Sequence, residues 1–233
     1  ISGPRNISTA LLYAFSQRSG CVGVDEPFYG PFLERTGLDH PGRAEILAAV
    51  PRKPEDSAEA MRRLFASHPG EIYMKNMAHH MVDMPWDWAS EAAHIFWIRH
   101  PRKVIRSFAK VWPQVNLDDI GIQEQVAQWA QIQGFTAPKI LVDSDEMLAN
   151  PAETFPKICA ALGIPFHAEM LQWPAGPKPY DGPWWPHWYS QVHASTGFGP
   201  ANDLGEPLTG RYAEVEAEAL PYYETLYSHR LAL

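Results

Sequence analysis

Hydrophobic and polar positions alternate in blocks along this chain. Short apolar runs, CVGVD (21–25), EIYMK (71–75), AHIFWI (93–98) and PKILVD (138–143), are five or six residues long and carry Val and Ile, which predicts strands. Between them lie longer segments with apolar residues at helical spacing, predicting helices near 7–18, 31–36, 55–68, 101–112, 121–135 and 151–163. Ile1-Ser2 adds a strand stub ahead of the first helix. Uniformly apolar strands separated by helices imply an α/β fold: a central parallel β-sheet flanked by helices on both faces.

After Ile164-Pro165 the strand pattern stops. Residues 174–208 mix Pro and Gly with Trp184, Trp185, Trp188 and Tyr189, which predicts an ordered aromatic loop, since disordered segments are poor in such residues. A last helix is expected over 209–228, kinked or broken at Pro221 because proline removes a donor and crowds the preceding turn. No repeat, low-complexity tract or linker divides the chain, so 1–233 is read as a single domain whose 174–208 loop covers the active site.

Composition narrows the function. The 233 residues are 45% hydrophobic and 20% charged, in the range of a globular domain, and no run approaches the ~20 apolar residues of a membrane helix. A formal charge of −8 argues against nucleic-acid binding, so an anionic ligand needs a local basic site. Two cysteines, Cys21 and Cys159, make neither a disulfide framework nor a metal spacing, and a cytoplasmic setting is expected.

The first candidate for that basic site is ISGPRNISTALLYAF at the start of the chain. A loop between a strand end and a helix start offers free backbone N–H groups to an anion. Gly3 permits a tight turn, Pro4 stiffens it, Arg5 adds a cation, and Ser8 and Thr9 add hydroxyls in the first helical turn. The ATP-binding pattern GxxxxGK[ST] is not met, because Ser8 and Thr9 stand where Gly and Lys would be. The plain alternative is an ordinary strand-loop-helix turn. The second candidate is IFWIRHPRKVIRSFAKV, where Arg99 ends a strand and Ser107 follows two turns into the next helix. Its other basic residues, Arg102, Lys103, Arg106 and Lys110, cannot all share one helix face and are expected to be mostly solvated.

Taken together, these stretches resemble the PAPS-dependent sulfotransferases. SGPRNISTALLYAF is similar to their 5′-phosphosulfate loop, with Asn6-Ile7 in place of the usual Ser-Gly and Arg5 where many members carry Lys. IRHPRKVIRS resembles their 3′-phosphate motif, EIYMKNMAHHM their Lys-bearing strand end, and LVDSDEMLANPAETFPKICAALGIP a later strand, acidic turn and helix. The matches run in family order from residue 2 to about 166.

The resemblance implies a P-loop-type fold and transfer of a sulfuryl group from PAPS to a hydroxyl or amine of a small-molecule acceptor, without a required metal. It assigns Gly3, Pro4, Arg5, Asn6, Ile7, Ser8 and Thr9 to the 5′ side of the donor and Arg99 and Ser107 to the 3′-phosphate. A late loop containing Ser195, Thr196 and Gly197 would close on the nucleotide, although the basic residues usual there are missing. Lys75 would reach the bridging oxygen, and Glu26, His79 or His80 would serve as base. Trp184, Trp185, Trp188 and Tyr189 would either line the acceptor pocket or pack as a cover for the core. A small-molecule kinase, or a non-catalytic nucleotide-binding member of the fold, are the competing readings.

Overall fold

The structure is a computed structural model that describes residues 1–233. In chain order the elements are α1 Ser8–Phe15, β1 Val22–Asp25, α2 Tyr29–Thr36, α3 Arg43–Ala49, α4 Pro54–Ser67, β2 Ile72–Lys75, β3 His94–Ile98, α5 Pro101–Phe108, α6 Leu117–Ile120, α7 Ile122–Gln131, β4 Lys139–Asp143, α8 Ser144–Ala149, α9 Pro151–Leu162, α10 Trp185–Trp188, α11 Ser190–His193 and α12 Arg211–Tyr227. The strand pairing is parallel throughout, β1 with β2 and β3 with β4, and the α/β architecture is the one the block pattern predicts.

Contacts within the chain gather into two compact units, each discontinuous in sequence. Unit 1 comprises 1–8, 91–166 and 199–233; unit 2 comprises 9–90 and 167–198. In unit 1, β3 pairs with β4 on one side, and an isolated parallel bridge joins Ser2 to Trp97, so the N-terminal stub lies alongside β3 at that one position. Phe96, Trp97, Ile98, Leu141 and Val142 are all buried, which is why these strands read as continuous apolar runs with no polar alternation. Helix α12 packs on α5 and α7 within this unit.

Unit 2 is built on β1 and β2, whose register sets Asp25 opposite Lys75. Tyr29, Phe32, Leu33, Ile46, Leu47, Trp184 and Tyr189 form one buried cluster there. The structure therefore selects, for Trp184 and Tyr189, packing in the core of this unit. Trp185 is exposed.

Several local expectations are corrected. Helix α12 is not broken at Pro221, its helical turns held by buried Val215, Ala219, Tyr223 and Leu226 on the packed face. Helix α3 was not foreseen. It lies between Pro41 and Pro51, and of its seven residues only Ile46 and Leu47 are buried, too few to make a periodic signal. The helix expected over 121–135 is α7, which ends at Gln131, and it is preceded by a separate capped turn, α6, in which Asn116 and Asp119 form a reciprocal capping box. The segment 174–208 is not uniform loop, since α10 and α11 fall within it.

Candidate functional site

The loop between the N-terminal stub and α1 holds two non-glycine residues in left-handed backbone conformation, Arg5 at φ 58° and Ile7 at φ 51°. Such conformations carry strain on the order of 1–3 kcal/mol each and persist only where the surroundings fix them. Asn6, between them, supplies that fixing. Its side chain is buried, with Nδ2 donating to Trp97 O at 2.5 Å and Oδ1 accepting from Ser144 Oγ at the start of α8. Trp97 O accepts a second bond from Gln125 Nε2 at 2.9 Å, so the end of β3 anchors the loop. Gly3 lies so close to Ile120 that a Cβ there would come within 2.3 Å of the Ile120 carbonyl oxygen, which is why no side chain is tolerated. Asn6 therefore points inward as the loop's anchor, a role the sequence did not suggest.

Three of the predicted residues meet beside this loop. Arg5 Nε donates to Ser107 Oγ at 3.0 Å, and Arg99 NH1 donates to Arg5 O at 3.1 Å. Arg99 also pairs with Asp145 at 3.2 Å, an acid that Lys103 shares at 3.1 Å. Burial and the neighbouring Arg99 guanidinium both lower the pKa of Arg5. Two guanidinium groups held this close, with a carboxylate at only one of them, form a place suited to an anion. Gly3, Pro4, Asn6 and Arg99 line a small cleft with the apolar side chains of Val104, Ile120 and Ile122. Ser8 and Thr9 are half-buried at the start of α1.

Of the other basic residues in this stretch, Lys110 is exposed as expected, while Arg102, Lys103 and Arg106 are half-buried and engaged. Arg102 Nε donates to Glu216 at 2.8 Å, Lys103 to the Asn202 carbonyl, and Arg106 to the Glu206 carbonyl. The segment 202–206 is thus held against α5 within unit 1. Ser195, Thr196 and Gly197 belong to unit 2. There Ser195 Oγ accepts from Trp173 Nε1 at 3.2 Å, Trp173 N donates to Thr196 O at 3.1 Å, and Gly197 bridges Gln172.

The predicted catalytic groups converge in unit 2. Lys75 Nζ, only 4% exposed, donates to Asp25 Oδ1 at 3.0 Å, Glu26 Oε1 at 2.5 Å and Tyr189 Oη at 2.6 Å, so all three ammonium protons are used. Tyr189 Oη donates to Asp25 Oδ2 at 2.7 Å and accepts from Trp184 Nε1 at 3.0 Å. Gly182 N donates to the same Asp25 oxygen at 3.1 Å. Glu26 sits at φ 41°, another strained non-glycine position.

Burial lowers the tendency of Lys75 to stay charged, but Asp25 and Glu26 together outweigh it and push its pKa up to about 12. Burial raises the Glu26 carboxyl above its ordinary range, and the charge of Asp25 adds to this against the opposing pull of Lys75. His80 stacks on Tyr29 with ring centroids 4.4 Å apart, and its Nδ1 lies 3.4 Å from Glu26 Oε2 without a hydrogen bond. Burial lowers His79 to about 4 and His80 well below the ordinary histidine value. Sequence reasoning missed Asp25 and gave Tyr189 no role of its own. The acid beside Glu26 at a strand end was the available signal for the first.

Solved structures of the same fold include the sulfotransferase domain from the Synechococcus PCC 7002 olefin synthase, with a TM-score of 0.61 at 18% identity, covering 99% of this chain and 94% of that one. The sulfotransferase domain from the curacin biosynthetic pathway aligns with a TM-score of 0.53 at 15% identity, covering 95% of each chain. Two curated Arabidopsis thaliana proteins, branched-chain-amino-acid aminotransferase-like proteins 2 and 1, are 33% and 35% identical over 98% of this chain. The chain spans 41% of the length of these relatives, and their names describe those longer proteins. The sulfotransferase domain family matches residues 1–230, and the chain belongs to that family.

Proposed function

We propose that this chain, acting as one catalytic domain, transfers a sulfuryl group from PAPS to a hydroxyl or amine of a small-molecule acceptor. The observation that carries this reading is the meeting of Arg5, Arg99 and Ser107 beside a loop whose shape is fixed by buried Asn6. The donor set suits a nucleotide with anionic groups at both its 3′ and 5′ positions, because guanidinium forks match phosphate and sulfate oxygens and α1 begins directly after the loop. PAPS supplies the sulfuryl group and leaves as adenosine 3′,5′-bisphosphate.

In this reading Gly3, Pro4 and Ile7 shape the loop, while Arg5, Ser8 and Thr9 hold the 5′ side. Arg99 and Ser107 hold the 3′-phosphate, and Ser195, Thr196 and Gly197 belong to the late segment that closes on the donor. Lys75 neutralises charge developing on the leaving oxygen, which is where a fixed cation contributes most to such a transfer. Glu26 takes the acceptor proton. Its raised pKa makes it a stronger base near neutrality than His79 or His80, whose pKa values are lowered. A cytoplasmic setting is proposed from the small number of cysteines, Cys21 and Cys159, too few for a disulfide framework. No helix is long and apolar enough to cross a membrane.

Incubation with radiolabelled PAPS and a panel of primary alcohols, phenols and amines tests the reading. Label should pass to at least one acceptor. Turnover of Mg-ATP with no transfer from PAPS would replace it with a kinase activity.

A further inference from the structure

The Lys75 cluster contains more than the two groups that the proposed transfer uses. We propose that Asp25 and Tyr189 are positioning residues of the reaction: together they hold the Lys75 ammonium against the Glu26 carboxylate at one fixed point. This rests on the reading in which Lys75 and Glu26 take part in the transfer.

The geometry is specific. Asp25 and Lys75 are register partners at the ends of β1 and β2, so the sheet itself sets their separation. A lysine has four side-chain torsions and keeps one position only if several acceptors define it. Here three do, and two of them are joined to each other, since Tyr189 Oη both accepts from Lys75 and donates to Asp25 Oδ2. Tyr189 is in turn fixed by Trp184 Nε1 and by burial at 5% exposure. Both carboxylate oxygens of Asp25 are bonded, one to Lys75 and the other to Tyr189 and Gly182 N, so Asp25 cannot rotate away. Glu26, by contrast, has one oxygen on Lys75 and the other 3.4 Å from an unbonded His80 nitrogen. The network is closed everywhere except at the carboxylate assigned to take a proton.

The charged and titratable groups facing Glu26 are Lys75 from β2, Asp25 from β1, Tyr189 from the start of α11, His80 from the turn after β2, and Tyr29 from α2. Removing either positioning residue therefore moves the Glu26 titration, and in opposite directions. Asp25→Asn takes away a like charge, which makes Glu26 easier to ionise. Tyr189→Phe takes away an acceptor that holds the Lys75 ammonium against Glu26, so the cation that favours the ionised carboxylate is less well placed and Glu26 becomes harder to ionise.

The experiment is an NMR titration of protein made with carboxyl-labelled glutamate, with the Glu26 signal assigned by its loss in Glu26→Gln. Turnover of labelled PAPS with water as acceptor, and affinity for adenosine 3′,5′-bisphosphate, are measured alongside. Glu26 should titrate at lower pH in Asp25→Asn and at higher pH in Tyr189→Phe. Both variants should turn over PAPS about tenfold or more slowly, with nucleotide affinity unchanged. Shifts of the same sign, or no shift in either folded variant, overturn the inference while leaving the transfer reading intact. If Lys75→Ala and Glu26→Gln turn over PAPS at the wild-type rate, the transfer reading itself fails, and the inference with it. Where Tyr189→Phe does not fold, Asp25→Asn alone decides: its Glu26 titration must fall.

Discussion

Arg5 Nε donates to Ser107 Oγ at 3.0 Å, joining two residues 102 positions apart that the sequence had assigned to opposite ends of one nucleotide. The bond joins the two side chains in a single polar patch. Replacing Arg5 by Ala removes a charged donor of the kind worth about 1.5–3 kcal/mol, so affinity for adenosine 3′,5′-bisphosphate should drop by roughly 10–100-fold. Arg5→Lys should fall between the two, because a lysine keeps the charge but not the planar fork that reaches Ser107. Equilibrium binding of the three proteins checks the order.

Asn6 should matter for stability as much as for binding. Asn6→Ala leaves the fully buried Ser144 Oγ without its acceptor and releases a loop with two strained residues. The expected loss is about 1–3 kcal/mol from the unpaired hydroxyl, seen as a lower urea midpoint. Asn6→Asp is expected to lose stability too, since it deletes the donor to Trp97 O and places a charge in a buried site. An unchanged midpoint in both would show that the loop is fixed by something else.

The buried histidines predict an acid-side weakness. His79 and His80 have folded pKa values below the ordinary histidine value, so the unfolded chain binds more protons than the folded one as pH falls. Their stability contribution is fully present above about 6.5, the unfolded value, and for His79 is lost as pH falls through about 4. Urea unfolding at neutral pH and in mild acid should show the loss. The double variant His79→Gln, His80→Gln should show a smaller drop over the same interval.

The parts of this molecule that were legible in sequence are the local ones. A strand end, a loop and a helix start are contiguous, so the loop ahead of α1 and the place of Arg99 just after β3 followed from order alone. Pairing was not legible. Tyr189 contacts Lys75 across 114 residues, and it lay in an aromatic run where packing and chemistry leave the same trace. Arg102, Lys103 and Arg106 look like a solvated helix face because all three bond backbone carbonyls of 202–206, and a carbonyl acceptor carries no residue signature. Asn6-Ile7 read as a departure within the loop. In the structure it is an internal anchor beside a strained residue, which explains why an amide and not a hydroxyl occupies position 6.

The claim that Arg5, Arg99 and Ser107 form the donor site is tested most directly by calorimetric titration of adenosine 3′,5′-bisphosphate into the wild-type chain and Arg99→Ala. The wild type should bind in the micromolar range, about −8 kcal/mol, and Arg99→Ala should bind at least about tenfold more weakly. No binding by the wild type at millimolar nucleotide, or equal binding by the variant, would contradict the account.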